Sequence, residues 1–189
     1  MTVQKKPKKS SNRKIAFRGS LYLAISIAVV TAAAASFGAI SAKAAAMVNG
    51  RFIPLAEYRR NVERFFAASS SGAGISLIPT GVSREVIEEN VMERMVSDEL
   101  LKQEAEKDGI TVEAADLEAT LAMVKNNPPD AAAMDRINAA LGWSQDEFMC
   151  TVLRPYALRR RLEARIGSAE TDRRMEAARR EAIIWRFVR

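Results

Sequence analysis

Residues 19–42 carry no charged side chain, and a run of 24 uncharged residues placed directly after a basic arm constrains this chain more than any other feature. The arm, KKPKKSSNRK, leads into LYLAISIAVV (Leu21–Val30), which is strongly apolar, and then into TAAAASFGAISAKAAA (Thr31–Ala46), which is small and weakly apolar. A basic arm, an apolar core and an A-x-A site together describe a secretory signal. Ala42-Lys43-Ala44 predicts cleavage after Ala44, and Ala44-Ala45-Ala46 predicts a second position after Ala46. The same run is long enough to cross a bilayer as an uncleaved anchor. In both readings the basic arm stays on the cytoplasmic side and the remainder of the chain lies beyond the membrane. Residues 1–44 are therefore assigned to an arm plus signal peptide or N-terminal membrane anchor.

The chain has 189 residues and a formal net charge of +6, but that excess belongs to the arm. Residues 1–44 hold eight basic residues and no acid, whereas residues 45–189 hold 21 basic and 23 acidic ones. Basic arms also serve nucleic-acid binding. Here the arm leads straight into an apolar run, so orientation at a membrane is the expected role and no nucleic-acid partner is expected. The near-neutral part is itself divided: residues 154–189 carry 11 Arg against five acids. That basic segment is expected to pack on the acidic helices before it.

The exported part reads as mainly α: a compact bundle of about five to six helices with a small β element. Met47–Ile53 reads as strand–turn–strand around Asn49-Gly50, two residues that accept positive φ. Helices are expected over Leu55–Ala68, from a Ser83 cap to about Asp108, over Glu113–Lys125, from an Asp130 cap to Leu141, and from Ser144 to about Ile166. Ser144 and Glu147 have capping-box spacing, and Trp143 and Phe148 sit where a hydrophobic staple places them. Pro155 is expected to kink that last helix. Residues 69–82 read as a loop. After the Gly167 break, residues 168–189 form a C-terminal helix and a closing strand on the same domain as residues 45–167. Ile183, Trp185 and Phe187 share one face of that strand, which is expected to pair with the strand near Met47, because each is too short to stand alone.

The chain has no His and one cysteine, Cys150. His-based acid–base catalysis, the commonest metal ligand and an internal disulfide are therefore excluded. No phosphate-cradling glycine loop, metal-ligand spacing or hydrolase motif is present. No cofactor, metal or catalytic residue is expected.

One order of pieces carries a resemblance: Val48-Asn49-Gly50; then Glu99-Leu100-Leu101-Lys102-Gln103-Glu104-Ala105 with Gly109-Ile110-Thr111-Val112; then Leu141-Gly142-Trp143-Ser144 and Glu147-Phe148. Over about residues 46–166 the chain resembles the N-terminal domain of SurA-type periplasmic chaperones, shared with PrsA-like and PpiD-like foldases. Foldases of this kind carry a parvulin prolyl-isomerase domain. Only 23 residues follow Ile166, and folded domains smaller than about 40 residues rarely stand without disulfides or metals. The closing segment resembles the one that returns to complete the chaperone module.

The resemblance implies an ATP-independent module in the periplasm, or on the outer face of the inner membrane, that binds unfolded or extended polypeptides and has no isomerase activity. The alternative is a membrane-anchored assembly factor with one dedicated envelope or secretion partner. A homo-oligomer is compatible with either. Candidate polypeptide-binding residues are Phe65, Phe66, Met92, Met95, Met123 and Tyr156, because Met and aromatic side chains suit promiscuous apolar contact.

Overall fold

The computed structural model describes residues 43–70 and 81–188. The basic arm, the apolar run and most of the 69–82 loop lie outside the described residues. The described residues belong to one compact unit, from Lys43 onward.

The architecture is mainly α with a three-stranded antiparallel sheet in the order β2-β1-β3. Strand β1 (Ala44–Val48) turns at Asn49-Gly50 into β2 (Arg51–Pro54), and β3 (Ile184–Arg186) closes the other side. Ala46 faces Arg186, Met47 faces Trp185 and Val48 faces Ile184. The expected pairing of the two ends is therefore present, with the N-terminal strand at the centre. Asn49 has φ of 50°, a left-handed value that Asn tolerates better than most residues. Its backbone N–H donates to Ile183 O (3.0 Å) and its Oδ1 accepts from Ile183 N (2.9 Å). Its Nδ2 donates to Gln103 Oε1 (2.9 Å), while Gln103 Nε2 donates to Val48 O (3.1 Å). One side chain thus ties the turn to β3 and to a helix.

Helix α1 (Leu55–Ser70) follows β2 directly. Its first N–H, on Leu55, would be an orphan donor; Lys43 O accepts it at 2.9 Å. Helix α2 (Arg84–Lys107) begins after Ser83 as expected, but the Ser83 hydroxyl does not cap the backbone. Glu85 sits below the usual carboxylate range, first through its own backbone N–H and then through Ser83. The helix ends where Gly109 takes φ of 66°, and Ile110 N reaches back to Ala105 O at 2.9 Å.

Helix α3 (Ala114–Asn126) opens with a capping box between Glu113 and Asp116. Helix α4 (Pro128–Leu141) starts two residues before the expected Asp130 cap, with Asn127 as its cap residue. Proline has no N–H to lose and a helical φ, so Pro128 and Pro129 open a helix where the sequence reads as a break.

Ser144 and Glu147 form the expected capping box, and Trp143 and Phe148 are both buried beside it. The helix they start has three parts: α5 (Gln145–Phe148), a π-helical turn (Met149–Leu153) and α6 (Arg154–Ile166). The turn meets the problem Pro155 creates. Proline cannot donate to the carbonyl of residue 151; the Arg94 guanidinium does so instead, Nη2 to Thr151 O at 2.7 Å. Gly167 then turns the chain into α7 (Ser168–Glu181).

Three apolar clusters hold these elements. The first joins β1 and β2 to α1 and α2 and is closed by Ile184 and Val188. The second joins the end of α1 to α3, α4 and the Trp143–Leu153 stretch. The third packs Leu101 and Ala105 of α2 and Ile110 on Leu158 and Leu162 of α6. Phe65 touches the first two clusters. The basic C-terminal segment meets acidic helix faces as expected: Arg174 pairs with Asp108 (2.7 Å), Arg179 with Glu93, and Arg186 with Glu89 (2.9 Å) and Glu93.

Candidate functional site

A groove of about 280 Å³ lies where β2 and α1 face the π turn and α6 across α2. Phe52 of β2, Phe65 of α1 and Pro155 of α6 line it along with Met95, Val91 and Leu158. The amphipathic pattern of α1 brings Phe65 here, since that residue sits between two cores rather than inside one. Asn61, also in the lining, is buried, and its Nδ2 lies 3.9 Å from the Met95 sulfur, a weak contact that orients a flexible side chain. The volume falls at the lower end of small-molecule sites. It has room for a few side chains of a larger ligand.

Charges of both signs line the groove: Glu57, Asp98 and Glu99 with Arg94, Lys102 and Arg154. Burial pushes the Asp98 carboxyl up to about 6; Arg94 opposes this and Glu57 adds to it. Arg94 holds several parts in place at once. It lies 3.8 Å from Asp98, caps Thr151 O and covers the Trp143 ring at 5.9 Å. Trp143 in turn meets Phe65 edge-on, with ring centroids 6.1 Å apart. Across the domain, Arg64 donates to both oxygens of Glu147 at 2.9 and 3.2 Å and fixes α1 against α5. That bond, with the Ser144 backbone N–H, holds Glu147 below the usual carboxylate range. Cys150 is exposed at the groove wall.

Of the six residues the sequence singles out, the groove brings together Phe65 and Met95. Met92 is 2 % exposed and fills the first core, where it presents no surface. Phe66 packs at the edge of that core under Arg84, 5.3 Å from its ring centroid. Met123 on α3 and Tyr156 on α6 are exposed outside the groove lining, with Arg160 stacked 5.8 Å from the Tyr156 ring.

Phe52 and Pro155 are groove residues that sequence reasoning missed. The turn at Asn49-Gly50 carried the signal for Phe52, since a two-residue turn sets it opposite Met47. Met47 also faces Trp185, so Phe52, Met47 and Trp185 form one row across the outer side of the sheet, and Phe52 and Trp185 are exposed. Ile183 and Trp185 face outward, and Ile184 is the residue of β3 that packs inward.

The profile of the SurA-like N-terminal domain matches residues 11–138. The chain belongs to this family. The match runs from the basic arm through most of α4 and supports the first two pieces of the sequence resemblance; the Trp143 capping box lies beyond it. No parvulin domain is detected in this SurA-like chain. No curated protein and no solved structure matches it significantly. Among the described residues, no helix is long and apolar enough to cross a membrane.

Proposed function

We propose that this SurA-like chain is an extracytoplasmic, ATP-independent chaperone module that binds extended segments of unfolded exported proteins, without isomerase activity of its own. Membership in the SurA-like family carries the reading. The groove agrees with it in chemistry. Phe52, Phe65 and Pro155 offer rigid apolar contact, Met95 offers a surface that can repack, and mixed charges at the rim accept the polar parts of a passing chain. Contact of this kind selects apolar segments without selecting one sequence.

The test uses residues 43–189, which keep the whole sheet, after their fold has been verified by circular dichroism. A chemically unfolded outer-membrane protein is diluted into this domain and light scattering is followed without nucleotide. Suppression at near-stoichiometric amounts is expected, with a photo-crosslinker at Phe65 capturing the client more strongly than one at Met123. Unchanged scattering with a folded domain refutes the general-chaperone reading. A single partner captured at the membrane would then favour the dedicated assembly factor.

A further inference from the structure

The expected processing positions after Ala44 and Ala46 fall inside the central strand of the sheet. Ala45 and Ala46 are 0 % exposed. Ala44 faces Pro54 and Ala46 faces Ile53 on one side; Ala46 faces Arg186 on the other. Ala45 O accepts the N–H of Phe187 (2.9 Å), and Lys43 O accepts the first N–H of α1 (2.9 Å).

A cut after Ala44 would remove the acceptor that starts α1 and place a new ammonium group on Ala45. Ala45 is 0 % exposed, so a charge set there would be cut off from water. A cut after Ala46 would leave Met47 and Val48 as the whole central strand, between two neighbours that pair only through it. We infer that the chain is not processed at Ala44 or Ala46, and that the mature domain begins at or before Lys43. Small residues that read as a peptidase site are instead the tightly packed middle of a sheet, where alanine lets α1 and α2 approach. This inference rests on the sheet alone and is independent of polypeptide binding.

The experiment incubates purified full-length chain in detergent micelles with signal peptidase, with a standard preprotein as the check on enzyme activity. Intact mass and N-terminal sequencing read the product. An uncut chain, or a product beginning at Lys43 or earlier, is expected. A product beginning at Ala45 or Met47 overturns the inference. A second arm compares chains beginning at Lys43 and at Met47 by urea unfolding. The shorter chain is expected to unfold at clearly lower urea or not to fold at all, and equal midpoints would also overturn the inference.

Discussion

Asn49 is the residue whose replacement tests the closure of the domain most directly. Its side chain makes two bonds to distant parts, accepting from Ile183 N and donating to Gln103 Oε1, each at 2.9 Å. Both are exposed, so each is worth about 0.5–1 kcal/mol. Its φ of 50° adds a second term. Alanine in that left-handed conformation costs about 1 kcal/mol or slightly more. Asn49→Ala should therefore destabilise the domain by about 2–3 kcal/mol, a roughly 30- to 150-fold change in the folding equilibrium. Asn49→Asp keeps the acceptor and the tolerance of positive φ and loses the donor to Gln103. It should cost about 1 kcal/mol or less. Urea unfolding of residues 43–189 measures both variants, and hydrogen exchange at the Ile183 amide reports the local bond. The reasoning fails if Asn49→Ala stays within about 0.5 kcal/mol of wild type, or if Asp is as costly as Ala.

Asp98 sets a pH dependence. Its folded-state value of about 6 lies above the ordinary 3.8, so burial favours the neutral form in the folded chain relative to the unfolded one. Stability is fully present below about pH 4 and is lost as pH rises through about 6. A full shift of this size corresponds to about 3 kcal/mol. The side chain keeps 37 % exposure, and screening reduces the effect to about 1 kcal/mol. Asp98→Asn should stabilise the domain by that amount at pH 7.5 and leave it unchanged at pH 4, as read from urea midpoints at the two pH values. Leu162 is fully buried against Leu101, Ala105, Ile110 and Leu158. Leu162→Ala should cost about 3 kcal/mol in the same assay, while the exposed Val86→Ala should stay within about 0.5 kcal/mol.

Much of the fold was legible because its signals are local. Apolar residues at three- and four-residue steps marked the helices, Gly109 marked a helix end, and Ser144 with Glu147 marked a helix start. Readings drifted where two local rules compete. Pro128 and Pro129 end one helix and begin the next, so α4 starts earlier than an Asp cap suggests. Pro155 signalled a kink, but the π turn depends on Arg94, 57 residues before Thr151 by number, reaching Thr151 O. The Ala44–Ala46 strand was hidden because small residues serve a peptidase and a tight sheet equally well. The groove was legible only in part. Helical periodicity shows that Met92 and Met95 lie near one another on α2, but which of them the neighbouring helices cover is decided by tertiary packing. Met92 went to the core and Met95 to the groove.

The order of the sheet has a consequence for the time course of folding. Strand β1 pairs with β2 across a two-residue turn, but its other pairing joins Ala46 to Arg186, 140 positions apart. Helical hairpins form from near neighbours and are fast, whereas a contact of such long range must first overcome the entropy of closing nearly the whole domain into a loop. Docking of β3 is therefore expected to come last and to limit the rate. In a stopped-flow experiment, Trp185 fluorescence should then lag behind the helical signal. A slow final step of this kind leaves one side of β1 open while the helices are already in place.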